Sequence, residues 1–370
     1  MPESPRPPLP PRLDELNVGV LNALFRRHDP DFDAEVVAVR ATPIGESSGF
    51  LGQLRRLELT YATTESNRHA PSGTTPPASL VAKAPTQDPG GRQVGAMLDV
   101  WARESRFFAE LASALDVHVP RCYANEGDRD TQQWLLLLED VGDTQAPTQA
   151  EGASFDQAAA ALIEVARLHR QCHGQRPAPW LPGFDRGPLD ALQHNVQVAV
   201  EPFAERFGDL LPPGGADALR RFAPGLAAWT NEQARHPLTV VHADYRLDNL
   251  IVRSEGAGLT VTVLDWQTTL MGAGEMDLAS FLVTSLRLED RRRWEDGLIE
   301  LYAEAVGRSV DQVRAAFRSH LWWWMALYAN NLSRIDPTDE RGTNMFSATV
   351  QRTFQAAADH DLLNSDRQAG

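Results

Sequence analysis

Lysine is almost missing from this chain. Of 35 basic residues in 370, 34 are arginine and only Lys83 is lysine. A solvated surface accepts either cation, so near-complete drift to arginine singles out Lys83. A position that keeps lysine needs a compact ammonium on a slim stem. Cysteine is scarce too. Cys122 and Cys172 lie far apart, with no Cys or His pair at metal spacing, which excludes a disulfide framework or a zinc site and points to a reducing cytoplasm. No apolar run approaches the roughly 18–20 residues that span a bilayer. The first residues, Met1 to Pro8, lack an apolar leader core, so no secretory signal is expected. Their prolines predict a disordered lead-in over 1–12. Positive charge is also in deficit. The formal net charge of −15 argues against nucleic acid or an anionic membrane as partner. It suits a cationic substrate, though solubility alone accounts for most acidic proteins.

What is present suggests two domains or one large bilobal unit. A helical stretch over 13–27 precedes strand patterns at 35–44 and 54–61, with a glycine-rich turn, Gly45 to Gly52, between the strands. A polar loop over 63–77 follows. A short strand at 79–84 carries Lys83, a helix is predicted over 94–115, and two more strands over 120–123 and 133–138. Residues 13–140 thus read as a small lobe on an antiparallel sheet. From 141 to 370 helical patterns dominate (155–171, 188–207, 216–233, 276–286, 294–306, 310–331 and 343–360), with strand signals at 238–242, 250–253 and 260–264. The expected class is α+β.

The chemistry concentrates in Val240-Val241-His242-Ala243-Asp244-Tyr245-Arg246-Leu247-Asp248-Asn249, followed by a β-run ending at Asp265. A lone His242 would ordinarily be a satisfied core residue. Asp248 or Asn249 alone would be turn residues. Their conjunction between apolar strands is the informative feature. Phosphoryl transfer needs a carboxylate to take the proton of an attacking hydroxyl, and an amide oxygen with a second carboxylate to hold the magnesium that bridges the phosphates.

This segment resembles the catalytic loop of the aminoglycoside phosphotransferase and choline kinase superfamily, with the ecdysteroid-kinase-like branch nearest, over roughly residues 40–335. The resemblance implies a bilobal protein-kinase-like fold, with ATP and Mg2+ between the lobes. It makes Asp244 the catalytic base, counts His242 with the catalytic set as the brace of the loop, and assigns Asn249 and Asp265 to the metal. Ala243 stands where many members have glycine, and Trp266-Gln267 replaces the Phe-Gly of protein kinases. Lys83 resembles the lysine on the α- and β-phosphates, and Glu104 the helix glutamate that pairs with it. A solvated helix face is the alternative for Glu104. Gly45, Ser47, Ser48 and Gly49 would cradle phosphates, unless they form a plain hairpin turn. Backbone groups near Glu139 and Val141 would meet the adenine. Asp277 resembles an aspartate that steadies the catalytic region, and a helix first-turn role is equally open. Trp322-Trp323-Trp324 cannot share one helical face, so core packing outweighs a substrate wall.

The expected function is ATP-dependent transfer of phosphate to a small-molecule hydroxyl acceptor. An aminoglycoside, amine alcohol, sugar, steroid or hydroxyacyl compound all remain open, as does oligomeric state. A nucleotide-binding scaffold without activity is the alternative.

Overall fold

The computed structural model describes residues 9, 12–44, 51–62, 76–184, 189–256, 258–333 and 340–364. Most of the expected lead-in and of the polar loop therefore falls outside the described residues. So do Gly45, Ser47, Ser48 and Gly49. The chain divides into two compact units, Met1–Ala114 with Val119–Gly142 and Leu115–His118 with Asp143–Gly370.

The first unit opens with helix α1 (Val18–His28), whose N-terminus is capped by the Asn17 side chain. Strands β1 (Val36–Pro43), β2 (Gly52–Tyr61) and β3 (Ser79–Pro85) follow, then helices α2 (Pro89–Met97) and α3 (Val100–Arg106), then strands β4 (Cys122–Asp128) and β5 (Gln133–Glu139). The strands form one sheet in the order β1-β2-β3-β5-β4, with every neighbouring pair antiparallel. Period-two alternation gives the sheet two faces. Leu57 and Leu59 of β2, Leu80 and Ala82 of β3, and Leu135 and Leu137 of β5 pack with Leu21, Leu24 and Phe25 of α1 into a core. Lys83 follows Ala82 and must therefore point to the opposite face.

Three expectations need correction here. The single helix over 94–115 is broken, because Asp99 takes a left-handed conformation (φ 54°) between α2 and α3. The break lets Trp101 fold back on α2, where a Cβ on Gly95 would stand 2.4 Å from its ring. The strand placed at 120–123 lies later, at Cys122–Asp128. The first helix is preceded by a separate 3-10 turn, Leu13–Glu15.

The second unit comprises helices α4 (Phe155–Cys172), α5 (Leu189–Phe207), α6 (Gly215–Phe222) and α7 (Leu226–Gln233), strands β6 (Thr239–Val241), β7 (Leu250–Glu255), β8 (Gly258–Val263) and β9 (Leu270–Gly272), and helices α8 (Glu275–Thr284), α9 (Leu288–Val306), α10 (Val310–Leu332) and α11 (Glu340–Asp359). The helix expected over 216–233 is interrupted by a 3-10 turn at Ala223–Gly225, where Pro224 lacks the donor a continuous helix requires. Ser154 and Gln157 form a reciprocal capping box that starts α4. Every residue of α8 is buried, which makes it the central strut. Two short antiparallel pairs, β6 with β9 and β7 with β8, flank the segment 242–249. Trp323 and Trp324 are buried. Trp324 Nε1 donates to Met276 O at 2.8 Å, and Trp323 stacks near Trp229, so this aromatic run packs the core.

Candidate functional site

In the first unit, Lys83 Nζ lies 2.8 Å from Glu104 Oε1 and from Oε2, and the side chains are 11% and 3% exposed. The chain's single lysine therefore has a buried carboxylate on a neighbouring element. Helix α3 is fixed in place to supply it. Ser105 Oγ donates to Asn125 Oδ1 of β4, and Asn125 Nδ2 donates back to Ser105 O, both at 2.7 Å. Gly52 lies across from the lysine stem, where an added Cβ would come within 3.7 Å of Lys83 Cε. At the end of β5, Glu139 N donates to Arg121 O at 2.7 Å, so that backbone N–H is already committed. Next to it, Asp140 is held by Arg56 at 2.9 Å and accepts from Gly142 N at 3.1 Å.

In the second unit, the loop after β6 is braced from several sides. His242 is fully buried. Its Nδ1 accepts from Asp244 N at 3.2 Å, which leaves the proton on Nε2 to donate to Leu264 O at 2.7 Å. Both ring nitrogens are spent on backbone, so His242 holds the loop and has no nitrogen left for proton transfer. The Trp266 ring packs edge-on beneath it at 4.9 Å. Asp277 receives the backbone N–H groups of His242 and Ala243 at 2.7 and 2.8 Å. It stands in the first turn of α8 and braces the loop at once, so its two expected roles coincide. Asp277 is itself held: His169 Nε2 donates to Oδ2 at 3.2 Å, and Tyr302 OH donates to His169 Nδ1 at 2.8 Å. Burial raises the Tyr302 hydroxyl pKa well above its ordinary value, which keeps it a donor. This anchorage holds Ala243 at φ 62°, a left-handed backbone that costs a non-glycine residue roughly 1–2 kcal/mol.

Asp244 is one-third exposed. Asn249 Nδ2 donates to Asp244 O and to Asp244 Oδ2, each at 2.8 Å. With both amide hydrogens on Asp244, the planar amide turns Asn249 Oδ1 the other way. Leu264 N donates to Asn249 O at 2.9 Å, so Asp265 follows directly beside Asn249. Asp265 also sits at φ 62°, a conformation that aspartate tolerates better than most residues. An amide oxygen and a carboxylate are hard oxygen donors of the kind magnesium prefers, usually completed by phosphate and water, so this pair fits that ion.

Sequence reasoning gave no role to Arg246. Its Nε donates to Asp244 Oδ1 and Oδ2 at 3.1 and 3.2 Å, and its NH1 donates to Asp248 Oδ2 at 3.3 Å. Burial alone would lower the Arg246 pKa, but Asp244 and Asp248 outweigh it and raise it. An arginine two residues from an aspartate on either side is the signal that could have found it. Gln149, His169 and Tyr302 carry no such local signal.

No curated protein sequence matches the chain significantly. Among solved structures, an aminoglycoside 2'-phosphotransferase-IIIa variant in complex with GDP aligns over 94% of this chain and 100% of its own, at 13% identity and TM-score 0.53. A candidate aminoglycoside phosphotransferase from Ralstonia eutropha JMP134 aligns over 93% and 98%, at 15% identity and TM-score 0.52. At such identities the likeness shows the fold, which is α+β and protein-kinase-like. Residues 95–318, more than half of the chain, match the model of the phosphotransferase enzyme family (APH). This chain belongs to the phosphotransferase enzyme family.

Proposed function

We propose that this protein transfers the γ-phosphate of ATP to a hydroxyl of a small molecule in a magnesium-dependent reaction. The observation that carries the reading is the Lys83–Glu104 pair: the chain's one lysine presents its ammonium on a slim, flexible stem, oriented by a buried carboxylate, as a phosphate contact requires. Asn249 Oδ1 and Asp265 would hold magnesium, which neutralises phosphate charge when bound. Asp244 takes the proton of the acceptor hydroxyl as that oxygen attacks. Its carboxylate is already oriented by Asn249 and Arg246, so little reorganisation is left for the reacting state. His242 and Asp277 act at one remove by fixing the loop backbone. Val141 and the carbonyl of Glu139 remain the proposed adenine contacts, since the Glu139 N–H is taken. The acceptor stays a class, a small molecule with a free hydroxyl.

The test is ADP release with ATP and magnesium across a panel of hydroxyl compounds, with binding of a non-hydrolysable ATP analogue measured in parallel. Asp244→Asn is expected to slow turnover about 100- to 10,000-fold, the range for loss of a general base, while analogue binding persists. Full activity in that variant would remove Asp244 as the base. Analogue binding without transfer by the wild type would favour a nucleotide-binding scaffold.

A further inference from the structure

Gln149 lies nearly one hundred residues before the catalytic loop, in the segment leading to α4, and is 4% exposed. Every polar group it has is engaged. Its Oε1 accepts from Arg246 NH1 at 2.9 Å. Its backbone N–H donates to Asp248 Oδ1 at 3.3 Å. On its other side, Nε2 donates to Thr349 Oγ1 at 3.4 Å, and its carbonyl accepts from Arg352 NH1 at 2.8 Å. Thr349 and Arg352 belong to α11. The same Arg352 guanidinium also donates to Thr284 O at 2.9 Å and Ala150 O at 2.5 Å, which ties α11 to the end of α8. Met345 of α11 places its sulfur 3.7 Å from Arg246 NH1. Helix α11 lies wholly beyond residues 95–318, the part matched by the family model.

We propose that Gln149 is a positioning residue through which the C-terminal helix α11 sets the geometry of Asp244, with Arg246 as the link. The physical basis is a continuous chain of directional bonds. Arg246 has a planar fork, so fixing NH1 on Gln149 and Asp248 fixes the direction of Nε, and Nε carries the bonds to both Asp244 oxygens. A buried amide with all its partners present has one low-energy orientation, because any other leaves a buried group unpaired. The inference rests on the reading of Asp244 as the base. A purely structural Gln149 would affect stability and leave turnover per folded molecule unchanged.

Two variants of the full chain separate these roles. Gln149→Leu removes both side-chain bonds, and Thr349→Val cuts only the bond from α11, which keeps the test available if the first variant folds poorly. ADP release with ATP and magnesium is expected to fall about 10- to 100-fold in Gln149→Leu, the scale of a misplaced catalytic group, and by less in Thr349→Val. Affinity for a non-hydrolysable ATP analogue should stay at the wild-type value. Amide hydrogen exchange, which needs no turnover, should quicken across residues 242–249. Gln149→Glu keeps an acceptor for Arg246 and should recover part of the lost rate. Wild-type turnover and wild-type loop exchange in folded Gln149→Leu would overturn the proposal. If Asp244→Asn retains full activity, the base assignment fails instead, and the loop-exchange result then decides alone whether Gln149 holds the loop.

Discussion

Ala243 shows how a single side chain records the demands of a site. Its backbone is left-handed, a region in which glycine is at ease and alanine is not. The two hydrogen bonds that the N–H groups of residues 242 and 243 donate to Asp277 over-determine the conformation, which is how such strain persists. Relief of the strain, less the extra freedom glycine has when unfolded, should make Ala243→Gly more stable by up to about 1 kcal/mol. A urea unfolding midpoint checks this, and a lower midpoint would contradict it. Asp244, Asn249 and Lys83, the residues proposed here for phosphoryl transfer, stand out in the sequence because that chemistry calls for those residue types. His242, which the resemblance gives as the brace of the loop within the catalytic set, is fully buried and spends both ring nitrogens on backbone. Where those nitrogens point is stated by no sequence.

At the scale of elements, α8 governs the site. It is buried along its whole length and brings Asp277 to the loop, while α4 and α9 bring His169 and Tyr302 behind it. The close fit is visible at Gly274, the residue before α8. A Cβ there would stand 2.5 Å from Tyr302 OH and 2.8 Å from His169 Nδ1. Gly274→Ala should therefore cost about 1–3 kcal/mol by overpacking, seen as a lower Tm, and an unchanged Tm would show that the pair yields without cost. Most strands and helices follow from apolar periodicity, but β9 lies where no strand is expected, α9 begins six residues before the helix expected at 294–306, and β4 ends five residues after the strand expected at 120–123. The two helix breaks have local causes that periodicity does not encode: left-handed Asp99 splits the helix of the small unit, and Pro224 splits that at 216–233. The links from Gln149 to Arg246 and Arg352 span 97 and 203 positions, so no window along the chain displays them.

For the whole molecule, a sheet-based unit carries the chain's only lysine, and a helical unit carries the oxygen-bearing residues. Among the described residues no helix is long and apolar enough to cross a membrane. The net charge of −15 bears on solubility and encounter more than on fold, and it leaves the acceptor's charge open. The most direct measurement is titration of the full chain with a non-hydrolysable ATP analogue, with and without magnesium, for the wild type and Asp265→Ala. Magnesium is expected to tighten binding to the wild type and to lose that effect in Asp265→Ala. Equal affinity of the wild type with and without the ion, or an unchanged magnesium effect in the variant, would contradict a phosphotransferase centre built on Asn249 and Asp265.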